Sequence, residues 1–222
     1  MTPFKDITAE AARRHGGAAA LKNMMPEVNS AKALKSLSDD RYLSRMSFRV
    51  FAAGLKHSMV EKKWPDFEDI FLGFEPRRVR AMSDEALEGL LKEPRIIRHW
   101  GKIKATRANA AAMCDIADEY GNFGTWLAAW PEGDIVGLWE EIKQRFSQMG
   151  GMSGPYFLRM VGKDTFVLTG DVVRALNKWG ACEGDPKGKR AKAAVQETFN
   201  AWADEAGRPL CEVSRILALS VD

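Results

Sequence analysis

The sequence predicts an all-α protein of about ten helices. Apolar residues recur at helical spacing along most of the 222-residue chain, and glycine, proline and short polar turns separate these segments. Alternating stretches rich in β-branched residues are scarce, and the best strand candidate, residues 166–169, is too short to define a sheet. No repeat and no long polar linker is visible, so we expect a single domain spanning residues 1–222.

The N-terminal part of the chain predicts three helices. Alanine-rich pieces lie around residues 9–20 and 31–37. We expect a longer helix to begin near residue 39 and to end where Pro65 interrupts it. The aromatic and methionine side chains of that helix form an apolar stripe typical of a buried core, made of Leu43, Met46, Phe48, Phe51, Leu55 and Met59.

Prolines and a serine mark the starts of shorter helices in the middle of the chain. Pro65 and Pro76 each lie beside an acidic residue, as is typical of a helix N-terminus. Ser83 precedes two acids and is expected to be an N-cap. A long alanine-rich helix is expected over residues 101–120, where Gly121 ends it.

Two helical segments joined by a glycine-rich turn predict a helix-hairpin-helix near residues 138–162. Glycine permits positive φ and lets backbone N–H groups approach a ligand closely. The N-terminus of the second helix adds unpaired N–H groups and the positive end of its dipole, which together suit a phosphate. The candidate phosphate-binding residues in and beside the turn are Gly151, Met152, Ser153, Gly154 and Tyr156.

A carboxylate follows this turn at a short distance along the chain. Asp171 lies seventeen residues after Gly154 and opens another helical segment. A phosphate-binding turn followed by a carboxylate suggests chemistry on nucleic acid, although Asp171 can also serve as a simple N-cap. Two more helices are expected, over residues 191–206 and 210–219.

Composition and cysteine usage exclude several classes of protein. Hydrophobic residues make up 45% and charged residues 28% of the chain, as in ordinary globular proteins. No apolar run approaches the length of a membrane span, and no secretory signal precedes the first helix, so we expect a cytoplasmic protein without a membrane partner. The cysteines are scattered, which argues against a disulfide framework and a cysteine-based zinc site; they are Cys114, Cys182 and Cys211.

The distribution of positive charge is more informative than its total. A net charge of +3 is too small to indicate a nucleic-acid partner. Between residues 95 and 107, however, five basic residues occur without an acidic one, and four more lie between residues 187 and 192. Such clusters indicate a possible footprint on DNA, with Arg98 and Lys102 as candidate contacts. A solvated helix face is an equally good interpretation of each cluster alone.

Several short motifs lie between residues 43 and 112. They include Ala-Gly-Leu at 53–55, Lys-Lys at 62–63, the run FLGFEPRRVRAMSDEALEGLL from residue 71, and IIRHWGKIKA from residue 96, followed by Asn-Ala at 109–110. Together these motifs resemble the DNA-3-methyladenine glycosylase I family. The wider helix-hairpin-helix glycosylase superfamily, with its Gly/Pro-rich loop and aspartate, is matched by residues 151–155 and Asp171.

The resemblance implies an all-α glycosylase fold in two lobes and hydrolysis of the N-glycosidic bond of alkylated bases such as 3-methyladenine in double-stranded DNA. The lobes would be a central one of roughly residues 45–165 and a terminal one of residues 1–44 plus 166–222. Asp171 would stabilise the oxocarbenium-like state and position the attacking water. Lys163 and Asp164 resemble the approach to the catalytic aspartate in the glycosylase II branch. A monomer is expected.

Three features depart from the family pattern. The family's pocket glutamate, five residues before the glycine of Ala-Gly-Leu, is Arg49 here, and its pocket tryptophan, three residues after that glycine, is His57. The family's structural zinc needs cysteine and histidine near both ends of the chain, whereas only His15 lies near one end. We therefore predict no metal and no cofactor.

A flipped, alkylated base would be held by an aromatic pocket, because such bases are cationic and attracted to ring faces. Arg49, His57 and Trp100 are the candidate pocket positions, and Trp100 lies within the basic cluster next to His99, a candidate structural hydrogen-bonder. Other aromatic candidates are Trp64, Trp126, Trp130 and Tyr156.

The superfamily's strand-cutting members form a Schiff base through a lysine shortly after the hairpin. Residues 149–159 contain no lysine, and Lys163 is too close to Asp171 to match, so the sequence predicts a monofunctional glycosylase without lyase activity. The alternative is a non-catalytic DNA-binding protein that kept the hairpin and lost its pocket, as Arg49 suggests. A plain helical scaffold would require the motif from residue 96 to be coincidental.

Overall fold

The computed structural model describes residues 2–222, and within them the chain forms fourteen α-helices and no strand. Two short 3-10 turns cover Leu72–Phe74 and Leu90–Lys92. The all-α prediction is confirmed. The helices are α1 Phe4–Arg14, α2 Ala18–Lys22, α3 Ala31–Ser36, α4 Asp39–Ala52, α5 His57–Ile70, α6 Pro76–Arg80, α7 Asp84–Gly89, α8 Trp100–Tyr120, α9 Phe123–Ala129, α10 Ile135–Arg145, α11 Ser153–Met160, α12 Gly170–Lys178, α13 Lys189–Ala206 and α14 Leu210–Leu219.

The strand candidate at residues 166–169 is wrong. Phe166 and Val167 are buried, and the segment carries no secondary structure of its own. The Val167 N–H donates to Ser214 Oγ at 3.1 Å, so a side chain of α14 takes the place of a neighbouring strand. The β-branched character of this segment thus reflects burial rather than sheet pairing.

The chain divides into two compact units. The terminal unit comprises the described residues up to Val28 together with Pro131–Leu138 and Asp164–Asp222, and the central unit comprises Asn29–Trp130 and Trp139–Lys163. The assignment of the whole chain to one domain stays a prediction. None of the described helices combines the length and the apolar character that crossing a membrane requires.

The central unit is built around α4, which is packed by α5, α8, α9 and α11. Phe51, Phe67, Phe71 and Phe74 are fully buried, and their rings follow one another at centroid distances of 4.5 to 6.5 Å. Trp64 stacks on this column at 5.3 Å from Phe74. The predicted apolar stripe is therefore confirmed in part. Leu43, Met46 and Phe51 on α4 are buried core, whereas Leu55 and Met59 lie beyond α4 and are exposed.

A polar network ties α4 to α5 beside these rings. Arg41 donates to both carboxylate oxygens of Glu68, at 2.9 and 2.8 Å. Ser44 donates to the same carboxylate and accepts a hydrogen bond from Trp64 Nε1 at 3.0 Å. Because each polar group of the network has a partner, the two helices are fixed in register as well as buried.

The prediction of one long helix ending at Pro65 is wrong. The helix stops at Ala52, and a short loop over residues 53–56, in which Gly54 has a φ of +79°, separates α4 from α5. Pro65 lies inside α5 rather than at a helix start. Pro65 is exposed, so the backbone N–H that proline lacks would lie at the protein surface, and the helix tolerates its absence. The true break depends on Gly54, which permits a left-handed turn.

Other predicted boundaries are confirmed. The Glu75 carboxylate accepts hydrogen bonds from the first N–H groups of α6, and Ser83 Oγ accepts one from α7. Gly121 ends α8 with a φ of +89°. The segment after it, which the sequence did not predict as a helix, forms α9, and Asn122 caps α9 by accepting a 2.6 Å hydrogen bond from Thr125 N–H.

The terminal unit has its own core, formed by α1, α12, α13 and α14. Phe166 stacks on Phe199 at 4.1 Å between centroids, and Trp202 is fully buried beside Phe4. Asp164 caps α14, because its two carboxylate oxygens accept from the N–H groups of Leu210 and Cys211. Asp164 therefore caps a helix that is distant in the sequence, rather than a group of its own loop.

Replacing Asp164 with alanine is expected to lower the free energy of unfolding by about 1–2 kcal/mol, because α14 loses the acceptors of its first N–H groups. Chemical denaturation measures this loss. The control is Asp118→Ala, which removes an exposed carboxylate paired with Arg77 and should cost about 0–1 kcal/mol. Equal losses in the two variants would contradict the capping role.

Candidate functional site

The glycine-rich turn joins α10 to α11, as the sequence predicted. The second helix begins at Ser153, three residues earlier than its apolar side chains suggested. Gly151 has a φ of +59° and is exposed, with open space where a Cβ would lie. Gly154 is needed for packing, because its Cβ would lie 3.2 Å from the Met149 carbonyl oxygen and 3.4 Å from Ile142 Cγ2.

The turn presents unpaired backbone donors. Ser153 N–H donates to the Gly150 carbonyl at 3.2 Å. Among the described residues, the N–H groups of Gly151, Met152 and Gly154 donate no hydrogen bond to any acceptor. These groups precede or open α11, where the dipole of the helix favours an anion. The turn therefore has the donors that a phosphate oxygen would need.

A buried asparagine on α8 holds the start of the turn. Asn109 is completely buried, its Nδ2 donates to the Ser147 carbonyl at 3.1 Å, and its Oδ1 accepts from Ser147 N–H at 2.7 Å. This two-point contact replaces a missing backbone partner just beyond the end of α10. Asn109 belongs to the Asn-Ala motif of the sequence, and its task is to position the hairpin.

The central unit contains a cavity of about 410 Å³, within the range of small-molecule sites. It brings together three of the residues that the sequence singled out, Arg49, His57 and Tyr156. The remaining lining residues were not predicted as pocket positions from the sequence. Gly54 was the signal that could have indicated them, since the loop that turns at this glycine forms one wall. Those residues are Ala52, Ala53, Gly54, Leu55 and Met160.

Arg49 dominates the chemistry of this cavity. Its guanidinium carbon lies 4.8 Å from the centre of the Tyr156 ring, a cation–π contact. Its Nε is buried and has no hydrogen-bond partner among the described residues. Burial lowers the pKa of the Arg49 guanidinium from its ordinary value. The cavity is thus lined by a stacked, partly dehydrated cation.

Trp100 is not among the residues that line the cavity. It is the first residue of α8, and Lys104 Nζ lies over its ring at 5.0 Å from the centroid. His99 caps the same helix, because its Nδ1 accepts from Lys102 N–H at 3.2 Å, which confirms the structural role expected of it. Arg98 precedes this cap and is exposed.

Lys102 is buried, contrary to its expected role as a contact with DNA. Only 9% of the residue is exposed, and its Nζ donates to the carbonyl oxygens of Phe51 at 3.0 Å and Ala53 at 2.7 Å. The amine satisfies the end of α4 and is not available to a DNA phosphate. Burial lowers the pKa of Lys102, and the charge of Arg49 lowers it further. We therefore remove Lys102 from the candidate DNA contacts.

The remaining members of the basic cluster are mostly paired. Arg95 bonds to the carboxylates of Glu93 and Asp69. Arg107 donates to Asp84 at 2.6 Å and to the Met82 carbonyl at 2.9 Å. The spacing of the cluster along the sequence therefore overstates its free positive charge, and Arg98 is left as the candidate phosphate contact.

The other aromatic candidates lie in the core. Trp64 belongs to the ring column of the central unit, stacked on Phe67 at 4.9 Å. Trp126 is buried and packs against Phe123 and Trp130 at 5.1 and 6.0 Å. Of the aromatic residues singled out as candidates to stack on a base, Tyr156 is the one that lines the cavity.

Asp171 lies in the first turn of α12, in the terminal unit, and 55% of its side chain is exposed. The alternative that it is the N-cap is wrong, because Thr169 Oγ1 occupies that position and accepts from Val172 N–H at 3.2 Å. Asp171 instead accepts from Arg174 at 2.5 Å, and Arg174 also donates to the Asp222 carbonyl at 2.6 Å. Its carboxylate is thus surface-accessible and held by one cation.

A second, larger cavity of about 610 Å³ lies in the terminal unit. Asp164 is the candidate residue on its wall, and both oxygens of that carboxylate are committed to α14. Across residues 2–222, no three histidine, cysteine, aspartate or glutamate side chains are grouped so as to hold a metal ion. His15 bonds to the Leu219 carbonyl at 3.0 Å through its Nε2.

Part of this chain matches a known protein family. The family model described as methyladenine glycosylase matches residues 33–150, which include α4, the cavity loop, α8 and the first hairpin helix. The match covers more than half of the chain. The chain belongs to the methyladenine glycosylase family. The resemblance seen in residues 43–112 is therefore confirmed.

One curated relative is DNA-3-methyladenine glycosylase 1 of Escherichia coli strain K12, which is 43% identical over 60 residues. That alignment covers 27% of this chain and spans about a third (32%) of the length of the relative. The similarity is therefore strong but local, and the activity of the whole relative does not transfer to this chain by itself.

Solved structures extend the similarity to the fold. The 3-methyladenine DNA glycosylase I of Staphylococcus aureus superposes with a TM-score of 0.54 at 19% identity, covering 76% of this chain and 90% of that one. The 8-oxoguanine DNA glycosylase of Methanocaldococcus jannaschii gives a TM-score of 0.54 at 16% identity, covering 96% of this chain and 91% of that one. The fold of this methyladenine glycosylase family member is that of helix-hairpin-helix DNA glycosylases.

Replacing Lys102 with methionine is expected to lower the free energy of unfolding by about 2 kcal/mol, because two buried carbonyl groups lose their donor. The affinity for undamaged duplex DNA should stay unchanged. The control is Lys104→Met, at an exposed position two residues further along α8. It should change the free energy of unfolding by about 0.5 kcal/mol or less. Weaker DNA binding by Lys102→Met with wild-type stability would restore Lys102 as a DNA contact.

Proposed function

We propose that this protein is a DNA glycosylase that removes alkylated bases from double-stranded DNA by hydrolysing the N-glycosidic bond. The observation that carries the proposal is the family match over residues 33–150, which contains most of the residues that line the cavity. The names of the relatives point to 3-methyladenine and related methylpurines as the first substrates to test.

The hairpin is proposed to hold one DNA phosphate. The N–H groups of Gly151, Met152 and Gly154 are unpaired within the described chain, and α11 begins at Ser153 between them. Phosphate contacts of this kind fix the position of a protein on the duplex without reading its sequence. Arg98, exposed at the start of α8, would add a second phosphate contact.

The cavity is proposed to receive the flipped base. A glycosylase cannot reach its target bond inside the stack, so the nucleotide must leave the duplex and enter a pocket. The cavity has the volume of a small-molecule site, and Tyr156 and His57 supply aromatic surfaces on its wall. Arg49 supplies the hydrogen-bond donors.

Asp171 is proposed as the catalytic carboxylate. Breaking the C1′–N bond develops positive charge on the sugar, which a carboxylate stabilises while it orients the attacking water. Arg174 contacts one oxygen of Asp171, which leaves the other oxygen without a partner among the described residues. Water rather than lysine is the proposed nucleophile, since residues 149–159 lack lysine and the Lys163 amine is buried and bonded to the Trp130 carbonyl.

We further propose that the protein acts as a cytoplasmic monomer without a cofactor. The support is the ordinary globular composition of the chain and its membership of the glycosylase family. The second candidate function, a non-catalytic DNA-binding protein, is favoured by one observation: the cavity carries Arg49 and no carboxylate among its described lining residues.

Replacing Asp171 with asparagine should lower the rate of base release by about 100-fold or more, because the carboxylate charge is lost while the shape of the side chain is kept. The substrate is duplex DNA treated with an agent that methylates both ring nitrogens and exocyclic oxygens, and released bases are measured by chromatography. Asp185→Asn, which removes another exposed carboxylate paired with a lysine of the same unit, is the matched control.

Three results of this experiment have distinct meanings. Wild-type release by Asp171→Asn would exclude Asp171 as the catalytic group. DNA retention without release from any substrate, by the wild-type protein itself, would favour the non-catalytic alternative. Strand cleavage without added alkali would contradict hydrolysis by water alone.

The hairpin contact is tested by placing a charge at Gly151. Asp and Asn tolerate the left-handed conformation better than most residues, and open space surrounds this position. Gly151→Asp should weaken DNA binding about tenfold by repelling a phosphate, whereas the equally shaped Gly151→Asn should bind nearly as the wild type does. Fluorescence anisotropy with duplex DNA measures both. Similar affinities for the two variants would exclude a phosphate at this turn.

A further inference from the structure

The cavity of the central unit holds a positive charge without a counter-ion. Arg49 makes no hydrogen bond and no ion pair with any described residue, and its Nε is buried. No aspartate or glutamate occurs among the described residues that line the cavity. A partly dehydrated guanidinium of this kind costs folding free energy unless something else satisfies it. Its donors are therefore free for a molecule that enters the cavity.

A second buried cation strengthens this positive field. The Lys102 amine donates to the carbonyl of Ala53, which lines the cavity, at 2.7 Å. The pKa of Lys102 is lowered by its burial and then by the charge of Arg49, so the two groups interact electrostatically. An entering cation would meet both charges where little water screens them.

The tyrosine ring of the cavity is already engaged. The guanidinium of Arg49 lies over the Tyr156 ring, at 4.8 Å from the ring centroid. A cationic base gains from an aromatic pocket by placing its charge over a ring face. Here the protein's own cation occupies such a position, so this attraction is no longer available on that side of the ring.

We propose that Arg49 makes the cavity select an uncharged damaged purine that presents hydrogen-bond acceptors, and reject purines that alkylation has made cationic. This preference rests on the proposed glycosylase function. It restricts the alkylated substrates to uncharged ones, such as purines alkylated on an exocyclic oxygen, and adds uncharged 6-oxopurines that are not alkylated. The guanidinium is a planar fork of donors, and a carbonyl oxygen beside a ring nitrogen, as on the O6 and N7 edge of a 6-oxopurine, is its best match among the bases.

The preference has two separable parts, charge and acceptor edge. Repulsion between two like charges a few ångströms apart in a partly dehydrated site disfavours the cation on the order of tenfold to a hundredfold. A base that lacks the O6 and N7 acceptor pair cannot make this bidentate contact with Arg49. Contacts of this kind discriminate between bases by about tenfold or more in affinity. Three duplexes that differ in a single base distinguish these parts.

The first duplex contains 7-methylguanine, which is cationic. The second contains 7-deaza-7-methylguanine, which has the same shape without the charge, and the third contains hypoxanthine, which is uncharged and keeps both acceptors. Binding is measured in competition with undamaged duplex, and base release is measured separately under single-turnover conditions. We expect hypoxanthine to bind most tightly and 7-methylguanine to bind at least about tenfold more weakly than its uncharged isostere.

The Arg49→Gln variant should bind the cationic base and its isostere with much more similar affinities, because the charge of Arg49 is gone and only that of Lys102 remains. Arg49→Lys should still disfavour the cation but lose the preference for hypoxanthine, since an amine lacks the planar fork. Lys62→Gln removes an exposed charge from α5 outside the cavity lining and should behave as the wild type. The comparison of the three duplexes on the wild-type protein tests the proposal even where an Arg49 variant does not fold.

Equal or tighter binding of 7-methylguanine relative to its isostere by the wild type would overturn the proposal. Discrimination of undiminished size in Arg49→Gln would also overturn it. The glycosylase function fails independently: absence of base release from all releasable substrates, with the binding preference intact, would exclude catalysis and leave the selectivity of the cavity standing.

Discussion

The buried amine of Lys102 is the interaction on which the central unit depends. It donates to the carbonyl groups of Phe51 and Ala53, where α4 ends and has no further backbone donors. The chain can therefore turn at Gly54 and start α5 at His57 with the end of α4 satisfied. The wall of the cavity formed by residues 52–55 exists because this single amine is held inside the unit rather than on its surface.

Helix α8 carries most of the anchoring residues. His99 caps its first turn, Lys102 satisfies α4, and Asn109 fixes Ser147 at the start of the hairpin turn. The motif that starts at residue 96 is thus mainly a scaffold, although its basic composition first suggested a surface for DNA. Their spacing of three and seven residues places these side chains within about three turns of one helix. One rigid element thereby positions both the cavity and the hairpin turn.

The sequence predicted the all-α class, the hairpin, the helix start at Glu75–Pro76, the cap at Ser83, and the meeting of Arg49 with His57 at one pocket. These features depend on local periodicity, on turn chemistry or on a family pattern. It did not predict the break at Gly54, because a continuous apolar stripe masked it, nor the burial of Lys102, because a lysine's environment depends on which backbone groups fold around it. The pairing of Arg95 and Arg107 with distant acids was equally invisible, since tertiary contacts rather than spacing bring those carboxylates close.

Because Arg49 makes no hydrogen bond, the residues that stabilise the central unit are different from the residue that would recognise a molecule in the cavity. The groups that hold the central unit together lie on α8 and in the Arg41–Glu68 network, and none of them uses the side chain at position 49. A residue free of structural duties can be exchanged without unfolding the protein. A single substitution at this position would therefore change the charge of the cavity while the scaffold stays constant.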